Sequence, residues 1–256
     1  MSAQYRTHVF SVLICDNHAR LIRWDHSGAI VTGQIPYNTE PHLFDFFIRF
    51  DRSSRDAQGH DTTVRAATSE ERNNAVRVAQ ELGASKNDLL VISVSKPTIG
   101  EPLRYVIAPP RASPYIPVGR WTRTSIGYDI QRKRTVFMKD SWRLVLDGVP
   151  KEGVVYSRFK LNGVPNVPHC SDSGDVGDDV YHSTRTNLYA KTWVTDPKYE
   201  HDLIPQRHYR LILDDIGQPL HEFKCSRDMV RAIRAALVGK FFLDRVEVCV
   251  LNHVFP

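Results

Sequence analysis

Nowhere in this 256-residue sequence do about eighteen apolar residues run together, so no segment has the length of a helical membrane span. The N-terminal stretch from Met1 to His8 lacks the apolar core of a secretory signal, which leaves the cytoplasm or nucleus as the expected location. Cysteine is scarce: Cys15, Cys170, Cys225 and Cys249 are scattered with no paired spacing. That pattern excludes a zinc ribbon and a dense disulfide framework and predicts reduced thiols. There is no glycine-rich P-loop and no nucleophile-elbow serine motif, which removes the common NTPase and hydrolase readings. Internal repeats and low-complexity tracts are also missing.

What is present is globular in character. Apolar residues make up 41% and charged residues 25%, enough for one large or two modest domains with real cores. The net charge of +5 permits an anionic ligand without demanding one. Arg120, Arg123, Arg132, Lys133, Arg134, Lys139 and Arg143 crowd one stretch, read here as a solvated basic face. Aromatic residues do not interleave with these cations as a stacking platform would, so nucleic acid is not the expected partner. Asp172, Asp175, Asp178 and Asp179 miss the spacing of a calcium loop and read as a solvated acidic loop. The eleven histidines are dispersed, and no metal site is expected.

Periodicity then orders the chain. Thr7–Cys15 is an apolar, β-branched run followed by an Asp16-Asn17 turn, the strand Arg20–Trp24, a second turn at Asp25–Gly28, and Ala29–Thr32. That is a three-stranded meander. Pro41 opens a helix with Leu43, Phe46, Phe47 and Phe50 on one face. Residues 51–68 read as a loop, and Glu70–Leu82 as a helix closed by Gly83. Leu89–Val94 and Leu103–Ile107 read as strands, and Pro109, Pro110 and Pro114 mark a seam. Beyond it come strands at Tyr115–Gly119, Ser125–Ile130 and Thr135–Lys139, then a helix after Pro150. A Gly/Asp-rich loop at 171–179 and strands at Tyr189–Val194 and His208–Leu213 follow. Ser226 caps a last helix with Met229, Val230, Ile233, Ala236 and Leu237 on one face.

The residues that point to chemistry begin at Val136-Phe137-Met138-Lys139. A lysine ending a strand can bring a flexible point charge to phosphate oxygens from a rigid base. The continuation Lys139-Asp140-Ser141-Trp142-Arg143 closely resembles the signature of the fungal-type protein kinase family. The likeness extends through Arg20–Gly28 and the helix after Pro41, through Gly163–Pro168 with Gly174–Val176, and through His208–Phe223, covering about residues 6 to 237. It implies an α+β fold: a kinase-like small lobe, with an antiparallel sheet and a helix αC, preceded by an α+β N-terminal extension. Only the first helices of a large lobe would follow. The corresponding domains are 1–110, 111–217 and 218–256.

The resemblance also implies roles and a nucleotide cofactor, ATP with magnesium. Lys139 would hold the phosphates and Glu152 would pair with it from helix αC. Gly119, Arg120 and Thr122 would lie in the loop over the phosphates, although Trp121 stands where a middle glycine would be. Asp215 and Gly217 would belong to the hinge that meets adenine. No catalytic residue is assigned, because neither a His-Arg-Asp nor an Asp-Phe-Gly element occurs in the sequence. The likeness stops between Leu237 and Lys240, and the remaining tail reads as retained intron sequence. The expectation is a kinase-like fragment that lacks catalysis, with a protein-binding scaffold as the alternative, docking through an exposed small-lobe face.

Overall fold

Alternation and turn chemistry build the first sheet. In a computed structural model of the chain, residues 5–76, 85, 88–94, 103–108, 118–189, 203–218 and 220–245 are described. Strands β1 (Val9–Cys15), β2 (His18–Asp25) and β3 (Gly28–Val31) form an antiparallel meander in the order β1-β2-β3. Asp16, at φ 50°, makes the first turn, a left-handed conformation that a short polar residue tolerates well. Helix α1 (His42–Arg52) begins directly after Pro41. Its Phe46 and Phe50 meet Phe10 edge-on at 5.5 and 5.8 Å. Phe47, expected on the same buried face, is instead half exposed.

The second sheet has seven antiparallel strands: β4 (Val64–Ala66), β5 (Leu90–Val94), β6 (Leu103–Ile107), β7 (Arg123–Asp129), β8 (Arg134–Leu144), β9 (Cys170–Asp175) and β10 (Gln206–Leu213). Their order is β4-β5-β6-β7-β8-β10-β9. β6 pairs with β7, Tyr105 opposite Asp129 and Ile107 opposite Gly127, so the sheet runs across residue 110, where the sequence suggests a boundary. Helix α2 (Ser69–Asn74) follows β4 and is held by a reciprocal capping box between Thr68 and Glu71. Helix α3 (Glu152–Leu161) connects β8 to β9, and helix α4 (Ser226–Arg245) closes the described chain.

Because strand side chains alternate, each face of this sheet holds its own core. Ile92, Val94, Leu103, Tyr105, Val136, Met138 and Ile212 pack on one face, with Tyr5 against them. Tyr209, Leu211 and Leu213 lie on the opposite face with Phe137 and Tyr156. All eight residues of β10 are buried, polar ones included, because both of its faces and both of its edges are covered.

Several expectations need correction. Residues 51–68 are not only loop: β4 forms there because Val64–Ala66 finds β5 as a ladder partner. The loop expected at 171–179 contains β9, an edge strand made by pairing with β10. β8 runs to Leu144, five residues past Lys139. The face of α4 expected to be buried is largely exposed at Val230, Ile233 and Leu237. The helix continues without a break through Gly239 and Lys240, where the likeness is expected to fail. Tyr189, expected to open a strand, instead ends a 3-10 turn at Thr186–Tyr189. The rest of that expected strand to Val194, most of the one at Tyr115–Gly119, the C-terminal half of the Glu70–Leu82 helix, and residues 246–256 lie outside the described residues. Among the described residues no helix is long and apolar enough to cross a membrane.

Candidate functional site

Lys139 and Asp140 are neighbours on β8 and therefore point to opposite faces of the sheet. Lys139 faces α3. Its Nζ lies 2.9 Å from both Oε1 and Oε2 of Glu152, the first residue of that helix. The side chains are 24% and 28% exposed, so the pair sits at a rim that a ligand can reach. An acid in the first turn is favoured by the helix dipole. No side chain of α3's own N-cap satisfies the first amides; instead the Gly153 N–H donates to the Tyr209 hydroxyl at 2.9 Å. A carboxylate that grips a lysine from two oxygens fixes the direction of its charge, which suits a phosphate ligand.

The remaining sequence-predicted residues are placed differently. The Gly119 N–H donates to the carbonyl of His26 at 2.7 Å, so that amide is committed and cannot cradle a phosphate. The Arg120 carbonyl accepts from the Trp142 N–H at 2.7 Å. The register sets Thr124 beside Lys139, which leaves Arg120 near Trp142, about 10 Å farther along β8. Trp121 adopts φ 43°, the left-handed backbone that a glycine would take more easily, with its ring against His26 and under the Arg123 guanidinium. Thr122 is half-buried just ahead of β7. After β10, the Asp215 carboxylate accepts from the His169 N–H at 2.7 Å, and Gly217 is exposed. The structure thus brings Lys139 and Glu152 together, while Gly119 is anchored to the N-terminal segment, Arg120 to the far end of β8 and Asp215 to the chain ahead of β9.

Asp140 leads to the feature that sequence reasoning missed. Arg210, fully buried, donates to Asp140 Oδ2 at 3.0 Å, to Asp61 Oδ2 at 2.6 Å, and to Thr63 Oγ1 and the Ser93 carbonyl at 2.7 Å each. His208 Nε2 meets Asp140 Oδ1 at 2.6 Å, and its ring stacks on Trp142. Burial alone would raise both carboxyls, but His208 and Arg210 around Asp140, and Arg210 above all around Asp61, hold them below the usual range. These contacts join residues 61–63, β5, β8 and β10. A weak local signal existed: β10 places His208 and Arg210 at period two in a strand that runs on into the apolar Leu211–Leu213, which implies buried partners.

The basic stretch and the acidic loop also neutralise each other. Arg132 reaches Asp129 and Asp172, Arg143 and Lys151 hold Asp175, Arg134 holds Asp214, and Arg207 holds Asp179. The ion pairs take up part of both stretches, while Arg132, Lys133, Asp178 and Asp179 remain exposed, as the sequence suggested. Among the described residues one trio of metal-ligating types does gather: Asp61, His182 and His208. The two imidazole Nδ1 atoms face each other at 3.0 Å with nearly parallel rings, and His208 Nε2 is spent on Asp140. This is a hydrogen-bonded chain rather than a set of lone pairs converging on an ion. For ATP, the residues present fit phosphate charge at Lys139. They do not fit magnesium, because Asp140, Asp172, Asp175 and Asp214 each already hold a cation or histidine. A cleft of about 180 Å³ lies elsewhere, between Thr7, His8, Trp24, His26 and Trp121.

Residues 1–245 match the sequence profile of one family, described as fungal protein kinase, and the match extends past the point at Lys240 where the likeness was expected to end. No curated protein and no solved structure matches the chain.

Proposed function

The chain belongs to the fungal protein kinase family, and on that premise we propose that its Lys139–Glu152 pair is the phosphate-charge clamp of a kinase-like small lobe. The observation that carries this reading is the two-oxygen grip of Glu152 on the Lys139 ammonium. A strand lysine oriented by a glutamate from the following helix is how protein kinases direct a cation at the nucleotide phosphates. ATP with magnesium is the cofactor pair of such kinases in general. In this chain Lys139 would hold the phosphates and Glu152 would fix the direction of its ammonium, while Asp140, Asp172, Asp175 and Asp214 are already paired and offer magnesium no site.

Residues 1–256 contain no His-Arg-Asp or Asp-Phe-Gly element. These residues therefore supply no aspartate to accept a hydroxyl proton, and by themselves they bind nucleotide without transferring the phosphoryl group. The test is a thermal shift with ATP, alone and with magnesium, on the chain and on Lys139→Ala. A ligand that binds only the native state must raise the midpoint. The expected result is a rise in the unaltered chain that Lys139→Ala abolishes; equal shifts in both, or none in either, overturn the reading.

A second reading has an observation of its own. Val230, Ile233, Leu237 and Phe241 form an exposed apolar stripe on α4. A protein-binding scaffold would use such a surface, and concentration-dependent association in sedimentation would support it.

A further inference from the structure

Helix α3 lacks a side-chain cap of its own, yet its first amide after Glu152 is satisfied from another element. The Gly153 N–H is buried and donates to Tyr209 Oη on β10 at 2.9 Å. Ser173 of β9 lines the same spot, its Oγ and the Tyr209 hydroxyl both facing Gly153, and β10 aligns Tyr209 between Ser141 on β8 and Asp175 on β9. The seat is closely fitted. A Cβ on Gly153 would lie 1.9 Å from Ser173 Oγ, 2.7 Å from Ser173 Cβ and 2.8 Å from Tyr209 Oη. The next residue toward the N-terminus is Glu152, whose two oxygens grip Lys139. The height at which α3 sits on the sheet is thus set at Gly153, one residue from the charge pair.

We propose that Tyr209 is a positioning residue: its hydroxyl, with Ser173, seats the N-terminus of α3 and thereby sets whether Glu152 reaches Lys139. A strand that ends at Leu213, beside Asp214–Gly217, would then report on the clamp through one hydroxyl. Loosening the seat lets the helix end lift, and the carboxylate leaves the ammonium. The functional consequence rests on the reading of Lys139 as a phosphate-binding group; the geometric claim does not. Gly153 belongs to the same device, because only a residue without a Cβ allows the helix to approach β9 and β10 this closely.

The experiment reads the pair without nucleotide. The full chain is treated briefly with an amine-reactive reagent, and the labelling rate at Lys139 is followed by peptide mass spectrometry. Glu152→Gln sets the rate of an unpaired lysine. Tyr209→Phe, which deletes only the hydroxyl, is expected to raise the rate roughly fivefold, the population ratio that loss of a typical helix cap produces. Gly153→Ala should raise it as far as Glu152→Gln, and adding Ser173→Gly should recover part of the difference. Thr68→Ala weakens the cap of α2 instead, and it should lower the melting temperature without changing Lys139 labelling. The inference falls if Tyr209→Phe labels at the unaltered rate, if Glu152→Gln does so, or if Thr68→Ala accelerates Lys139 as much as Tyr209→Phe. Nucleotide protection of Lys139 in the unaltered chain is scored separately. Its failure alone would sink the phosphate reading and leave the positioning role standing.

Discussion

Replacing Arg210 with methionine removes the cation that lies between two buried carboxylates. Arg210 has no exposed surface, and Asp61 and Asp140 are 5% and 4% exposed, so water cannot screen what is left behind. Deleting one partner of a buried ion pair costs about 3–5 kcal/mol, because the remaining charge stays desolvated. Here two charges are orphaned, but each keeps some support. Asp61 still accepts from the Thr63 N–H at 3.0 Å, and Asp140 still meets His208 at 2.6 Å. The loss should therefore lie near about 4 kcal/mol, a large share of the roughly 5–15 kcal/mol that holds a typical domain. Urea unfolding followed by the fluorescence of the four tryptophans measures it. A further variant separates charge from packing: Asp61→Asn and Asp140→Asn added to Arg210→Met should recover part of the loss, since neither buried site then carries an unpaired charge. A loss below about 1 kcal/mol, or a triple variant no better than the single one, would refute the reasoning.

Other consequences can be measured on the same protein. Burial, the leading cause in each case, pushes His8 and His182 down to about 4 and His26 down to about 3. A histidine held neutral contributes stability that is fully present above its unfolded value near 6.5 and is lost as pH falls toward the folded value. Stability should therefore decline from about pH 6.5 to 4 by up to about 1.4 kcal/mol per pH unit for each group. A melting temperature that stays flat between about pH 7.5 and 5 would contradict this. Gly59 sits at φ 87°, and a Cβ there would lie 2.1 Å from the His8 carbonyl oxygen. Gly59→Ala should cost on the order of 2 kcal/mol or more. Gly33 has nothing within 4 Å of its Cβ position, so Gly33→Ala should change stability by less than about 1 kcal/mol by the same urea assay.

Legibility in the sequence followed the range of the interactions. The β1–β3 meander and α1 depend on neighbours in the chain: alternation, the Asp16 turn and the Pro41 start all act within a few residues. Lys139 was legible because its strand and its motif are local, and Glu152 because a helix start after Pro150 predicts an acid there. β9 was not legible. Cys170–Asp175 has no β-branched residue, and it is extended because β10 offers it a ladder. The exposed face of α4 shows the converse, a clean helical period in Met229–Leu237 that fixes the helix but not what covers it. The buried charge cluster draws on residues 61, 63, 93, 140, 208 and 210, and no spacing rule connects those positions.

The Lys139–Arg143 segment gains a structural meaning from these contacts. Its odd residues face α3 and β9: Lys139 reaches Glu152 and Arg143 grips Asp175 through two nitrogens. Its even residues face the other way: Asp140 holds Arg210, and through it Asp61, while Trp142 stacks on His208 and His26. One strand therefore fastens the charge pair on one side and the N-terminal segment on the other, through side chains that alternate because strand geometry requires it. The same segment also takes the Arg120 carbonyl on the Trp142 amide, and His26 takes the Gly119 amide, so the stretch before β7 is held from the N-terminal side as well. A residue of the proposed clamp and a buried anchor that are adjacent in sequence cannot move independently. Disturbing the anchor should reach the clamp: Asp140→Asn is expected to lower stability and also to speed amine labelling of Lys139, although it touches neither Lys139 nor Glu152. If Asp140→Asn unfolds at lower urea and yet leaves Lys139 labelling unchanged in the native range, the two faces of the strand are independent and this coupling is wrong.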